Sequence, residues 1–159
     1  MSKPQYFLRI EGRQIDGAEV TGLGKQLGEI IAALSSSLED HVWFGANVEA
    51  PGSAQMLSPI AGRTPTRIGT SEELRTLVAK VGQFIWASFL IVPAQLNPVR
   101  WRREYSSEEN SCEDIEVAIG RLTVFDSSYF EFAAIDGPLV EVLALRFGSP
   151  IERCPGQST

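Results

Sequence analysis

Histidine and cysteine are scarce in this chain, which limits the metal and nucleophilic chemistry it can support. His41 is the only histidine, and Cys112 and Cys154 are the only cysteines, with no CxxC spacing. A zinc site built from several cysteine and histidine ligands therefore lacks the residues it needs. A triad mechanism would have to use His41, which follows Asp40 at the start of a predicted strand. We predict no catalytic residue, no metal and no cofactor, and this favours a binding protein over an enzyme.

Positive charge and long apolar runs are also in short supply. The net charge is −6, whereas nucleic-acid binding needs a clustered positive surface. The longest apolar run, at 84–94, is about half of the ~20 residues that a membrane-spanning helix needs. The amino-terminal residues MSKPQYFLRIEG contain no apolar segment typical of a secretory signal. We therefore expect a cytoplasmic protein that binds neither nucleic acid nor membrane, with both cysteines free and reduced.

The length of 159 residues predicts a single domain spanning 1–159. We expect an ordered core from about residue 5 to 148, followed by a frayed tail at 149–159. The periodicity of apolar residues predicts the order β-α-β-loop-α-β-β-β-β-α. The fold class that follows is α+β, with about three helices packed on a mixed, mainly antiparallel sheet.

Three helices can be placed from their apolar periodicity and their start signals. Apolar residues at three- and four-residue intervals predict a helix over 23–38, which Thr21 can cap. Thr70 and Glu73 form a capping box at the start of the second helix. Pro138 at a first helical position starts the third.

The strands are predicted from alternation of apolar and polar residues. In the second strand this alternation places Val42 and Phe44 on the buried side and Trp43 on the exposed side. The segment 50–67 carries three prolines and two glycines, which predicts a long surface loop. The alternating segment VRWRREY is interpreted as an edge strand whose charges discourage further pairing. The predicted strands are 6–10, 42–48, 84–93, 99–105, 115–124 and 129–135.

The segment TGLGKQLG contains three glycines near the start of the first predicted helix. Such glycines resemble a dinucleotide-binding loop, in which the backbone approaches a pyrophosphate. The third glycine is one position late, because Leu27 occupies the place where the pattern needs it. We therefore interpret Gly22, Gly24 and Gly28 as loop glycines at a helix start.

An acidic run in a polar segment is the strongest candidate for a partner-binding surface. It comprises Glu108, Glu109, Glu113 and Asp114, followed by Glu116. Such runs are usually solvated, and complementary charge on a basic partner would speed encounter and set orientation. Aromatic and acidic side chains elsewhere complete the predicted contact set, which consists of Trp43, Trp101, Asp126 and Tyr129 together with the acidic run.

Two alternatives remain open. In the first, a small ligand-binding or enzymatic domain holds an anionic ligand near His41, Arg63 and Arg67, in a cleft between the long loop and the sheet. In the second, the chain is a structural subunit that pairs through apolar strand or helix faces. Either a monomer or a homodimer is compatible with the sequence.

The segment FDSSYFEF, followed by an acidic-glycine turn and an apolar final helix, resembles a motif of small bacterial proteins of the toxin-immunity type. The family pattern usually has threonine where this chain has Ser127, and the likeness covers about the last third of the chain. The resemblance implies a cytosolic protein that neutralises a protein partner, such as a basic toxin domain, by binding it. It assigns no catalytic residues to this chain.

Overall fold

The computed structural model describes residues 2–156, and within that range it contains five α-helices and seven strands. The strands are β1 (Tyr6–Ile10), β2 (His41–Glu49), β3 (Thr66–Gly69), β4 (Trp86–Pro93), β5 (Gly120–Phe125), β6 (Tyr129–Ala134) and β7 (Glu152–Arg153). The helices are α1 (Gly12–Asp16), α2 (Gly24–Ser35), α3 (Ala54–Leu57), α4 (Ser71–Val78) and α5 (Gly137–Phe147). Two short 3-10 helices cover Ser58–Ile60 and Ala94–Leu96.

All of the strands belong to one sheet, in the order β3-β2-β4-β5-β6-β1-β7. Each neighbouring pair is antiparallel. The predicted α+β class is confirmed, although more helices are present in residues 2–156 than were predicted. Among the described residues, no helix is both long enough and apolar enough to cross a bilayer.

One face of the sheet, the helix face, carries the larger core. The helices α2, α4 and α5 pack there, and the completely buried side chains Phe89, Ile91, Leu122 and Phe132 point toward them. Burial of a large apolar side chain of this kind contributes about 1.5–3 kcal/mol to stability. The apolar periodicity of the long helices is explained by this contact.

The opposite face of the sheet, the second face, is partly covered by residues 97–119, which we call the cover segment. Tyr105, Ile115 and Ala118 of this segment pack with Phe44 and Leu90 in a second apolar cluster. The cover segment thus buries apolar side chains on this face of the sheet, as the helices do on the other face. This explains why β4 is apolar on both sides.

Two predicted strands, 99–105 and the first half of 115–124, are wrong. The described structure has irregular backbone at both places, and β5 begins only at Gly120. Their alternation arises because Trp101 and Tyr105 turn toward the second face, where they join the apolar cluster without entering the strand ladder. Alternation of apolar and polar residues in these segments therefore reflects burial of alternate side chains and not pairing in a sheet.

The predicted long loop and tail are more structured than expected. The segment 50–67 contains α3 and a 3-10 helix and leads directly into β3. In the tail, Glu152 and Arg153 pair with Phe7 and Tyr6 of β1, so the ordered part does not stop at residue 148. Residues 157–159 of the predicted tail lie outside the described range.

The prediction of two free cysteines is also wrong. Cys112 and Cys154 form a disulfide, with an S–S distance of 2.04 Å and a Cα–Cα distance of 5.7 Å. Both residues are buried. The pairing could not be foreseen from their separation, because it depends on the cover segment crossing the second face to reach the strand that follows α5. The bridge joins that segment to the β7 edge of the sheet.

The helix start signals were largely correct. Thr70 accepts a hydrogen bond from the Glu73 N–H at 3.2 Å, and Glu73 accepts one from the Thr70 N–H at 3.1 Å, which confirms the capping box. Helix α5 begins at Gly137, so Pro138 is its second residue and the start lies one position earlier than predicted. Thr21 does not cap α2, because its hydroxyl accepts a hydrogen bond from the Gly12 N–H instead.

Two of the three glycines near the start of α2, Gly24 and Gly28, lie within the helix and differ in how closely other atoms approach them. A Cβ on Gly24 would collide with the carbonyl oxygens of Val78 and Val81, at and just beyond the end of α4. A Cβ on Gly28 would meet only the Val78 side chain, at 3.9 Å. The close approach of two helices therefore accounts for Gly24 without any phosphate ligand.

This contrast gives a paired prediction. Gly24→Ala should lower the free energy of unfolding by about 1–3 kcal/mol, because the α4 backbone must move. Gly28→Ala in the same helix should raise it by about 0.5–1 kcal/mol, because alanine favours the helical conformation. Guanidinium denaturation of both variants checks this, and effects of the same sign would contradict the packing explanation.

Candidate functional site

The acidic run, predicted to be a solvated docking face, is largely directed inward. Glu109 accepts a hydrogen bond from Arg103 Nη2 at 2.7 Å and one from Arg121 Nη1 at 2.9 Å. It also accepts one from the Ser106 N–H at 2.6 Å. Glu109 therefore fastens the cover segment to the sheet instead of presenting its charge to a partner.

Arg121 of β5 is completely buried beneath this carboxylate. Its Nε donates to the Ser88 hydroxyl at 2.6 Å and its Nη2 to the Ser106 carbonyl at 3.2 Å. The Tyr105 ring lies 5.3 Å from its guanidinium carbon. These contacts satisfy a charge that would otherwise be costly to bury.

The pKa values of the cluster reflect this balance. Burial alone would raise the pKa of Glu109, but hydrogen bonding to Arg103 and the charge of Arg121 hold it below its ordinary value. Burial, together with the charge of Glu116 and a hydrogen bond to its carboxylate, raises the pKa of Tyr105 far above its ordinary value. Glu109 is ionised and Tyr105 protonated at neutral pH, as a structural cluster requires.

The other acids of the run divide into two groups. Asp114 accepts hydrogen bonds from the N–H groups of Ser2 and Glu116, at 3.0 and 2.7 Å, and is half-buried. Glu108 and Glu113 are exposed and form no ion pair within the described residues. The predicted acidic contact surface is therefore reduced to these two side chains.

The two predicted tryptophans lie inside the molecule to different degrees. Trp43 is completely buried on the helix face, where its Nε1 donates to the Ser71 hydroxyl at 2.9 Å. Trp101 is half-buried and packs edge-on against Phe44 and Tyr105. The exposed position predicted for Trp43 is wrong, because β2 is covered on both sides.

The three predicted anion-binding residues differ in burial and in surroundings. His41 is half-buried at the start of β2, and burial lowers its pKa while Asp40 opposes the shift. Arg63 and Arg67 are exposed, and only Arg67 lines a groove of about 640 Å³ between β3, α4 and the segment around Ile60. His41 and Arg63 do not line it. This groove therefore contains only one of the three residues that the sequence suggested for an anion site.

The part of the second face beyond the cover segment carries a row of three aromatic side chains, Trp86, Phe125 and Tyr129, which we call the aromatic row. Phe125 pairs with Tyr129 across the hairpin, and their rings stack with centroids 5.1 Å apart. Trp86 of β4 meets Phe125 in a T-shaped contact at 5.0 Å. All three side chains are only partly buried. The row thus crosses three adjacent strands at the surface.

Strand alternation sets the direction of the row. The neighbours Ala87, Val124 and Phe130 belong to the core of the helix face, so the aromatic residues beside them point to the second face. The predicted contact residue Asp126 is exposed in the hairpin turn that follows Phe125. Asp126 and Ser127 have φ of 49° and 55°, and this left-handed turn closes the hairpin.

A cation completes one end of the row. The guanidinium of Arg9 lies 4.4 Å from the centre of the Tyr129 ring, and its Nε donates to Glu131 at 2.7 Å. The Arg9 side chain is 55% exposed, so it remains available to a partner. Tryptophan, tyrosine and arginine are the residue types most enriched among energetically important interface contacts.

A cleft of about 410 Å³, which we call the Trp86 cleft, adjoins the other end of the row. Its walls include Asn47 and Glu49 of β2, Gly52 of the following turn, and Ser107 of the cover segment. Glu49 pairs with Trp86 across the sheet. The cleft and the row share the Trp86 side chain and form one continuous surface.

The sequence indicated Asp126 and Tyr129 of this surface but not Trp86, Phe125 or Arg9. Phe125 could have been found, because it pairs with Tyr129 across the predicted turn. The direction of Trp86 could not, because β4 is apolar on both faces and its alternation gives no sign of which side is open. Arg9 reaches the row only through the pairing of β1 with β6.

Within residues 2–156, no group of three or more histidine, cysteine, aspartate or glutamate side chains is placed to hold a metal ion. No protein-family model, curated protein or solved structure matches this chain.

Proposed function

We propose that this protein binds a protein partner and neutralises or regulates it, in the manner that the resemblance to toxin-immunity proteins implies. The aromatic row is the observation that carries the proposal. Partly exposed aromatic side chains on a rigid sheet supply large contact area, and Arg9 adds a charged contact at their edge. A partner surface that packs on the row would bury apolar area that water now touches.

The inward direction of the acidic run changes which residues we assign to binding. Glu109 and Asp114 are occupied within the chain, so Tyr129, Trp86 and Arg9 replace them as the main contacts. Glu108 and Glu113 remain as exposed charges that favour encounter with a basic partner, such as a toxin domain. Contacts of this kind set the association rate more than the affinity.

The disulfide bears on where the partner would be met. Structural disulfides persist in oxidising compartments and are rare in the cytosol. The bridge between Cys112 and Cys154 therefore favours an oxidising compartment over the cytoplasmic location that the sequence suggested.

Partner retention by surface variants tests the proposal. The purified protein and its Trp86→Ala, Tyr129→Ala and Leu145→Ala variants are immobilised and exposed to a lysate of the source cells, at low and at ~0.5 M salt. Leu145 is a matched control because it is 90% exposed on α5, away from the row. Retained proteins are identified and their stoichiometry is measured.

We expect one stoichiometric protein on the wild type and on Leu145→Ala, with affinity about 30-fold lower or worse for each row variant. Retention should survive ~0.5 M salt, because packing on aromatic rings is screened little. The retained protein, once isolated, should lose its toxic or enzymatic activity when the wild type is added. Equal retention by all variants would remove the row from the function, and a co-purified small molecule without any protein would favour the ligand-binding alternative.

A further inference from the structure

We propose that the Trp86 cleft binds an arginine side chain of the partner, an inference that rests on the proposed binding function and specifies its chemistry. The volume of about 410 Å³ lies within the ~300–1,000 Å³ range of small-ligand sites. It can admit one long side chain, whereas the side chains of the aromatic row beside it are partly exposed on the sheet. The cleft would therefore orient a partner that the row holds.

The charge of the cleft selects a cation. Glu49 is exposed, pairs with Trp86 across β2 and β4, and forms no ion pair within the described residues. Among residues 2–156, no lysine or arginine lines the cleft. Asp126 lies in the turn that the Ser127 N–H ties to the Ile85 carbonyl, beside Trp86, and adds to the negative potential. An incoming guanidinium would meet a carboxylate without displacing a cation of this chain.

The indole of Trp86 supplies the second contact. Phe125 meets it in a T-shaped arrangement, which covers at most one face of the indole. Tryptophan is the aromatic side chain that binds cations best, at about 6 Å or less from the ring centre. A guanidinium can lie flat on the indole and still donate two parallel hydrogen bonds to a carboxylate, whereas an ammonium donates as a point charge.

The same face of the sheet already uses this contact within the chain. Arg9 lies over the Tyr129 ring at 4.4 Å while it is paired with Glu131. Arg103 lies over the Tyr105 ring at 3.8 Å while it is paired with Glu109. Each site combines an aromatic ring, a carboxylate and an arginine. Trp86 and Glu49 provide the first two of these groups and leave the third position to an external arginine.

Titration with a blocked arginine tests this directly and needs no knowledge of the partner. N-acetyl-arginine-N-methylamide is added to ¹⁵N-labelled protein, and the Trp86 indole N–H and the backbone N–H of Gly52 are followed by NMR. The blocked citrulline analogue has nearly the same shape without the charge and serves as the ligand control. Glu49→Gln and Trp86→Leu remove one contact each, and Glu104→Gln removes an exposed acid of the cover segment as the protein control.

We expect saturable shifts with arginine and none with citrulline. Binding should weaken about fivefold or more in Glu49→Gln and in Trp86→Leu, and should be unchanged in Glu104→Gln. Equal shifts with both ligands, or binding that is insensitive to Glu49→Gln, would overturn the inference. Shifts of similar size at the N–H signals of all exposed acidic residues, without preference for the cleft, would overturn the inference as well.

The two proposals fail in different ways. If Trp86→Ala loses the partner while Glu49→Gln keeps it at full affinity, the binding function stands and the arginine contact is overturned. If blocked arginine binds as expected but no variant of the row or cleft affects retention of the partner, the cation site stands and the proposed partner surface is wrong. If Trp86→Ala and Glu49→Gln both lose the partner and blocked arginine binds as expected, the binding function and the arginine contact are both supported.

Discussion

Replacement of Glu109 by glutamine is expected to lower the free energy of unfolding by about 3–5 kcal/mol. The substitution keeps the shape of the side chain but leaves the fully buried Arg121 without its counter-charge. Burial of an uncompensated charge is among the most destabilising effects of a single substitution. Guanidinium denaturation followed by tryptophan fluorescence measures the change.

A double-variant cycle separates the buried charge from lost packing. Arg121→Met removes the charge, so Glu109→Gln should cost much less in its presence than alone. Glu113→Gln, in the same cover segment but exposed, should change stability by no more than about 0.5 kcal/mol. Additive losses for Glu109→Gln and Arg121→Met would show that the charge of Arg121 is not the cause.

The same pair predicts the direction of the pH dependence. The pKa of Glu109 is lower in the folded protein than in the unfolded chain, so its ion pairs stabilise the fold fully above the unfolded value of about 4.3. That contribution is lost as the pH falls through the depressed folded pKa. The stability difference between wild type and Glu109→Gln should therefore be constant near neutrality and should narrow under acid conditions. A difference that widens under acid conditions would contradict the assigned pairing.

Removal of the disulfide is the second change with a large expected effect. The bridge closes a loop with a sequence separation of 42 residues, and chain-entropy arithmetic for such a loop gives about 4 kcal/mol at 25 °C. Cys112→Ala combined with Cys154→Ala should lower the free energy of unfolding by about this amount. Alanine is preferred to serine because both sites are buried.

Reduction supplies the control for this prediction. Wild type in the presence of dithiothreitol should unfold at the same denaturant concentration as the double alanine variant, and the reductant should leave that variant unchanged. The native, untreated protein should show no reactive thiols until it is unfolded and reduced. Two titratable thiols in unfolded protein that was never reduced would show that the bridge does not form.

Local signals in the sequence were sufficient for the elements that they control. The capping box at the start of α4 is formed by Thr70 and Glu73, which are only three residues apart. The turn at Asp126 joins β5 and β6, which follow each other in sequence. The same holds for Pro138 in α5. In each case the stabilising partners are neighbours in sequence, so the residue types identify the geometry.

The cover segment could not be predicted, because its contacts are remote in sequence. Tyr105 is buried through Phe44 and Leu90, and its N–H donates to the Arg63 carbonyl. With the second face covered, β2 has two buried sides, which is why Trp43 faces the core rather than solvent. The assumption that β2 is buried on one side only therefore misassigned Trp43.

The position of the aromatic row on the central strands has a consequence for how a partner must adapt. Trp86, Phe125 and Tyr129 stand on backbone whose intervening side chains are locked in the core of the helix face. Each aromatic side chain has only two rotatable torsions, and stacking restricts these further. Little freedom is left for this surface to lose on association, so the entropic cost of ordering would fall on the partner. Association would therefore cost least for a partner whose own contact surface is already ordered.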